Sequence, residues 1–503
     1  MRSKHGFGIS TKKAKVNPFP LHLIGMLPIP LISFLLVLNQ FYNLGAYYLD
    51  AGWFSYSMCA TTGQNPAADA IFWGNGSIFG IHTFFSPTIA CNLLNTFINN
   101  PIISYSLLLS LGVLVCISFG YVIAEDYLQT KIRRIIFGTC IGLSSFSIGS
   151  IAYPHPEAFV AAATALGIAL LLKKNSWGWL PFFIGVLGRE DIGLHVALTS
   201  AVWLLFSGGK DAELKKIWKS FFFIGLSSSV VLYAAQKAFW PTTRSVFQLT
   251  YFGNLPFEIF GNPQELFNRI SYWFECNAGI VGMFFLLAFA SRILKARVFL
   301  LPIIASIPWI FVNILASDGA KQILTTYHGF PFLIYLSLIG KTRSLNFEAR
   351  KVPTSKETSV LIPVGLWLAI FGSLVGGPNG GGGSINVGLS SLQQFSKNFN
   401  YINDRELQLK EFLKTNEHFG VDPAIASLYP EMDLNFFWES NSGQDHKGVV
   451  YFKRYVLGRS NLDEFKVSNK NIFDYCSKDG PIAILSKSII SEIQLSSLGL
   501  AKC

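Results

Sequence analysis

The sequence predicts an α-helical polytopic membrane protein, of about eleven transmembrane helices, with a small α/β domain at its C-terminal end. Three observations carry that prediction. The 503 residues are 51% hydrophobic and only 14% charged, against about a quarter charged in soluble domains. Several apolar runs reach the ~20 residues that a helix needs to cross a bilayer. The third is the distribution of Lys and Arg between successive loops.

Eleven hydrophobic segments are expected to span: about 21–43, 101–124, 135–152, 158–172, 176–188, 192–207, 219–240, 278–294, 298–315, 326–340 and 358–376. Residues 1–20 form a basic N-terminus with five Lys/Arg in "MRSKHGFGISTKKAKV". The alternate loops "EDYLQTKIRR", "KKNS", "GGKDAELKKIWK", "SRILKAR" and "KTRSLNFEARKVPTSK" hold three, two, four, three and five. The long first loop on the other side, 44–100, holds none, and loop 241–277 is poor in them. Basic loops stay cytoplasmic, so the N-terminus is expected in the cytoplasm and the C-terminus outside. The net charge of +11 is then a matter of membrane orientation, and no nucleic-acid partner is expected. The first span has a basic leader, as a signal peptide does. It is too long for a signal h-region and lacks an A-x-A site, so an uncleaved anchor is expected.

Loop 44–100 is aromatic and moderately apolar, which suits short helices lying along the membrane interface among lipid headgroups. Loop 241–277 is punctuated by Pro, Gly and Asn, which mark turns. Spans 176–188 and 192–207 are short and are expected to dip half-way, meeting at "GREDIG". Beyond residue 376 the Gly-rich stretch 377–390 reads as a flexible linker. Residues 391–503 then read as soluble: "DRELQLKEFLKTN" as an amphipathic helix, "GVVYFKRYVL" and "PIAILS" as strands. The seven Cys show no C-x-x-C or Cys/His spacing, which argues against a zinc or thioredoxin-like site. Cys59 and Cys91 can pair if their loop faces an oxidising compartment.

With this topology, polar residues far apart in the chain arrive at one membrane face. Asp50 follows the first span, and His82 lies later in the same loop. His155 and Glu157 form the turn "YPHPEAF". Arg189, Glu190 and Asp191 form the next outer turn. Lys321 lies in the outer turn after span nine, and Tyr327 and His328 open span ten. Each has a plain alternative: a solvated loop acid, a Pro-stiffened turn, an acid favouring a helix N-terminus, a self-neutralised Arg–acid pair, an interfacial anchor. Ionisable residues at membrane depth mark functional sites by default, and their convergence on one face favours the functional reading. A carboxylate can act as general base toward a hydroxyl. Carboxylates and histidines can hold a divalent cation, with Asp50, His82, His155 and Glu190 the candidate ligands. Arg189 or Lys321 can pair with a phosphate.

The pieces "LDAGWFSY", "HTFFSP", "YPHPEAF", "REDIGL" and "TTYHGFPF" carry a resemblance. Over roughly residues 20–340 the chain resembles a bacterial family of multi-pass membrane proteins of unknown function (DUF type) grouped with the GT-C glycosyltransferases. That resemblance implies a transferase that takes a sugar from a polyprenyl-phosphate donor and works on the outer face, at the inner membrane of the cell. It implies a catalytic carboxylate soon after the first span, which Asp50 matches, and in some members a divalent metal cation. Two features depart from the pattern. Asp50 is followed by Ala51 rather than by a second acid, which leaves Glu190 or Asp191 as partner, or no metal at all. Arg189 stands where Lys is expected, which keeps charge and alters phosphate geometry.

The expected function is therefore transfer of a sugar to a glycan, lipid or protein acceptor outside the cytoplasm. Asp50 is the candidate base; Glu190 and Asp191 are further catalytic candidates. Arg189, His82, His155, Glu157, Lys321, Tyr327 and His328 are the candidate binding residues. The alternatives are a transporter or flippase, which should hold its charges at the midplane on broken helices of related halves, and a non-catalytic scaffold acting through its outer domain.

Overall fold

The computed structural model describes residues 21–43, 52, 54–55, 58–59, 82–152, 154–207, 211–239, 261–316, 322–324, 327–340, 354–373, 392–429, 432, 434, 446–453, 465–467, 469 and 471–503. The fold is mostly helical. In chain order the helices of the bundle are α1 (Pro28–Asn43), α2 (Phe85–Ile98), α3 (Pro101–Ala124), α4 (Lys131–Gly142), α5 (Ser145–Ala152), α6 (Glu157–Leu172), α7 (Trp179–Val186), α8 (Ile192–Phe206), α9 (Ala212–Phe239), α10 (Pro263–Cys276), α11 (Ala278–Ile293), α12 (Leu301–Leu315), α13 (Pro331–Leu336) and α14 (Thr354–Ser373).

Among the described residues, four helical stretches are long and apolar enough to cross a membrane: Ile24–Tyr42, Pro101–Ala124, Ala212–Phe239 and Arg297–Leu315. A fifth is obtained if α10 and α11, bent by 72° at their junction, count as one span. Each of the eleven expected segments carries helix, yet several are shorter or broken. Segment 135–152 is divided between α4 and α5 at Leu143–Ser144. The eight residues of α7 rise only ~12 Å, well short of a ~30 Å hydrocarbon core. Segment 326–340 is a short helix between two 3-10 turns, Tyr327–Gly329 and Ser337–Ile339.

Local chemistry sets several boundaries. The Asn100 side chain accepts from the Ile103 N–H at 3.0 Å with Pro101 at the first helical position, a cap that starts α3. Asn262 and Pro263 start α10 in the same way. Where the Pro, Gly and Asn of loop 241–277 predict turns, residues Pro263–Cys276 form an amphipathic helix that meets α11 at a 72° bend. Arg269 on α10 donates to the carbonyls of Leu315 and Ala316, satisfying acceptors that the end of α12 leaves open.

The bundle core is aliphatic and aromatic, with Trp203 and Trp218 stacked at 5.5 Å between α8 and α9. Glycines on both sides let α6 and its neighbours approach closely: a Cβ on Gly167 of α6 would meet the Phe182 backbone of α7, and one on Gly188, just past α7, would meet the Val160 side chain of α6. The chain carrying Arg189 is thus pressed onto the start of α6.

The C-terminal region holds α15 (Leu392–Asp404), α16 (Glu406–Thr415), α17 (Pro423–Ala426), α18 (Glu492–Ser497) and a five-stranded sheet: β1 (Phe419–Val421), β2 (Gly448–Phe452), β3 (Phe473–Ser477), β4 (Ile482–Ser486) and β5 (Leu500–Lys502). The strand order is β1-β2-β4-β3-β5, with β1 and β2 parallel and the other pairs antiparallel. β2 and β4 are buried along their length and are the two strands that the sequence marks. β1, β3 and β5 are short or half-exposed and carry weaker patterns. Cys59 pairs with Cys91, tying the first loop to α2, and Cys476 pairs with Cys503, tying the chain end to β3. Cys116, Cys140 and Cys276 are free and buried.

A buried polar cluster at one end of the bundle

The ends of α5 and α7 and the starts of α2, α6, α8 and α13 deliver a group of ionisable side chains to one place. His82 and Thr83 precede α2. The His82 Nδ1 lies 2.7 Å from the Glu190 Oε1. The Thr83 N–H and hydroxyl donate to the other oxygen of that carboxylate at 3.0 and 3.3 Å. The Ser86 hydroxyl donates to the Ile184 carbonyl, which holds the start of α2 beside α7. Phe84, buried between these contacts, adopts φ 23° and ψ 38°. That conformation is costly for a bulky residue, and such strain concentrates at functional sites.

Glu157 is the first residue of α6 and is 2% exposed. Its Oε1 accepts from Arg189 Nη1 at 2.8 Å, and the His155 Nδ1 lies 3.3 Å from its Oε2. The Arg189 Nε lies 3.0 Å from the Asp191 Oδ1. The guanidinium sits 4.9 Å from the Phe330 ring centre and 5.9 Å from that of Phe84. Such cation–π contacts are worth ~2 kcal/mol or more when desolvated. Tyr105, near the start of α3, donates to the Pro154 carbonyl at 2.7 Å and fixes the turn that carries His155. The His155 ring also meets Phe54 edge-on at 4.9 Å.

The cluster's electrostatics follow from burial and from the crowding of three acids around one guanidinium. Burial raises the Glu190 carboxyl, but the His82 ring, Arg189 and the Thr83 N–H outweigh it and hold the group down at about 2. Asp191 goes the other way: burial raises it, Arg189 draws it back, the Glu190 charge adds to the rise, and it settles at about 6. Two adjacent carboxyls are thus driven apart in acidity, an arrangement that separates a fixed anion from a proton-exchanging group.

The structure brings together His82, His155, Glu157, Arg189, Glu190 and Asp191. Tyr327 and His328 form the 3-10 turn that leads to Phe330; the His328 carbonyl accepts from Trp309 Nε1 at 3.2 Å, and the Tyr327 side chain lies outside what is described. Asp50 and Lys321 lie outside the described residues. Arg189 Nη1 donates to Glu157 and its Nε lies beside Asp191, with the rings of Phe330 and Phe84 close to the guanidinium. These are the contacts of an Arg–acid pair at a helix end, with Glu157 as the further partner. Thr83, Phe84 and Phe330 are site residues that the sequence reading passed over, although each lies within two positions of a residue it named.

Among the described residues, no three His, Cys, Asp or Glu side chains form a set that could hold a metal ion. His82 and Glu190 are engaged with each other, His155 with Glu157, and Asp50, a further expected ligand, lies outside the described residues.

Deeper along α8, the His195 Nδ1 lies 2.8 Å from the Tyr335 hydroxyl, walled by Trp309 and Phe330. This polar pair lies beyond the cluster within apolar helices.

No family model, no curated protein and no solved structure matches the chain.

Proposed function

We propose that the chain is a GT-C-like membrane glycosyltransferase that moves a sugar from a polyprenyl-phosphate donor to a glycan, lipid or protein acceptor outside the cytoplasm. The observation that carries this reading is the meeting of His82, Glu157, Arg189 and Glu190 from three separate chain segments in one buried cluster. Three of the motifs that carry the resemblance, "HTFFSP", "YPHPEAF" and "REDIGL", meet there. A reaction site explains both the cost of burying three acids and the opposite shifts of Glu190 and Asp191.

In this reading all eleven hydrophobic segments lie in a bacterial inner membrane, with the N-terminus cytoplasmic and α7 and α8 forming a half-deep pair. The two disulfides support the orientation. They lie in the first loop with α2 and in the C-terminal domain, the regions assigned to the oxidising side by loop charge.

The chemistry is a displacement at the anomeric carbon. Asp50, two residues from the described Gly52, takes the proton of the acceptor hydroxyl. The acceptor oxygen forms the new bond to the sugar. The bond between sugar and phosphate breaks, and polyprenyl phosphate leaves with the electron pair. Asp191, ionised above about 6, is the second group able to take a proton. Glu190 and His82 shape the site, while Arg189 balances Glu157 and Asp191.

Purified protein incubated with a radiolabelled polyprenyl-phosphate sugar and membrane acceptors tests the reading. The expected result is labelled product from the native chain and a loss of at least ~100-fold for Asp50→Asn, with expression unchanged. Full transfer by Asp50→Asn removes that residue from the mechanism.

A further inference from the structure

The C-terminal domain is packed onto the turn at Gly52, two residues along the chain from Asp50. Gly52 lies in a buried helical turn. A Cβ built on it would stand 2.5 Å from the Ser427 Cα and 2.8 Å from the Ser427 Cβ. Only glycine fits there without displacing the backbone that follows α17. A second contact lies on the other side of Asp50. Tyr42, at the end of α1, meets the rings of Phe399 and Phe395 on α15 at 4.9 and 6.2 Å. One continuous apolar cluster lies behind both contacts and includes Phe41 and Phe54 together with Phe412 and Ile425.

The same turn reaches the polar cluster. The Ser55 hydroxyl donates to the Gly52 carbonyl at 2.8 Å and closes the turn. The Phe54 ring meets His155 at 4.9 Å and Phe84 at 5.5 Å, and Phe84 lies under Arg189. Packing therefore runs without a gap from Ser427 through Gly52 and Phe54 to the acids.

We propose that the C-terminal domain is a positioning element for the turn Gly52–Ser55, two residues along the chain from Asp50, holding it through Ser427 beside the buried cluster. The inference rests on the reading of Asp50 as the base. A base works only within about 0.5 Å of its productive geometry. Gly52, Phe395 and Phe399 are positioning residues in this account.

The test uses the full chain, as Gly52→Ala and as the double variant Phe395→Ala with Phe399→Ala. Hydrogen exchange is followed in segment 52–59, with segment 101–124 as internal control. Transfer is followed with a radiolabelled polyprenyl-phosphate sugar. The expected result is exchange at least ~10-fold faster in 52–59 and unchanged in 101–124. With it, kcat falls at least ~10-fold while donor KM stays within about twofold. Should Gly52→Ala fail to fold, the double variant carries the test alone, because both phenylalanines are only half-buried. Unchanged exchange in 52–59 overturns the proposal. Loss confined to acceptor KM also overturns it, and makes the domain an acceptor-binding module. Faster exchange in a chain whose native form transfers no sugar upholds the positioning role and rejects the transferase reading.

Discussion

His82 and Glu190 are 108 positions apart and meet at 2.7 Å. The contact joins the end of the long first loop to the turn between α7 and α8. Two Thr83 donors complete the shell of that carboxylate. Removing the charge leaves these donors without an ionised acceptor. Glu190→Gln is expected to lower transfer ~10- to 100-fold while the protein still folds, since the amide keeps one acceptor oxygen. Steady-state transfer kinetics and a thermal melt of the same sample check this.

Glu157 and Arg189 form an enclosed ion pair at 2.8 Å. Breaking a buried pair by removing one partner costs on the order of 3–5 kcal/mol. Glu157→Ala is therefore expected to lower the melting temperature sharply and to reduce membrane yield. Arg189→Lys keeps the charge and loses the fork that serves Glu157 and Asp191 together; a smaller loss is expected. Comparing the two melts checks the order.

The two acids of the turn respond to pH with opposite sign. Glu190 is held below its ordinary 4.5, at about 2. Its contribution to stability is present above 4.5 and is lost as pH falls toward 2. Asp191 is raised above its ordinary 3.8, to about 6. Its contribution is full below 3.8 and is lost as pH rises through 6. Asp191→Asn is thus expected to stabilise the protein at pH 8 by on the order of 1–2 kcal/mol and to leave stability at pH 4 nearly unchanged. If Asp191 takes a proton in the reaction, native transfer rises through about pH 6 and the variant loses that limb. Melts and transfer rates across pH 4–8 check both.

The disulfides give a prediction about compartment. A membrane-impermeant thiol reagent applied from outside, after reduction, is expected to label Cys476 and Cys503 and to spare Cys116 and Cys140, which are buried in helices. Labelling of Cys476 only after the membrane is opened reverses the orientation.

Much of this was legible in the sequence. Segment 101–124 coincides with α3 because an Asn-Pro cap and an unbroken apolar run mark both its ends. "YPHPEAF" and "GREDIG" can be brought to one face by charge bias alone, and their side chains do meet. The break at Leu143–Ser144 is not marked by Pro or Gly at the break itself. The 72° bend at Asn277 depends on side-chain contacts, since the Asn277 amide is held by the Trp273 and Gln322 carbonyls and its oxygen by the Leu324 N–H. Such partners are tertiary and leave no periodic trace. Phe330 and Thr83 were missed for a related reason: an aromatic ring or a hydroxyl beside a charged motif is ordinary until the fold turns it toward the charge.

The central claim is that the clustered acids serve sugar transfer on the outer face. The measurement that tests it most directly is the fate of a radiolabelled polyprenyl-phosphate sugar in vesicles that contain only the purified chain and an acceptor lipid. Label covalently joined to the acceptor, with release of polyprenyl phosphate, is the expected result, and both are abolished in Asp50→Asn. Label that crosses the bilayer still attached to its lipid, with no glycosylated product, would contradict it.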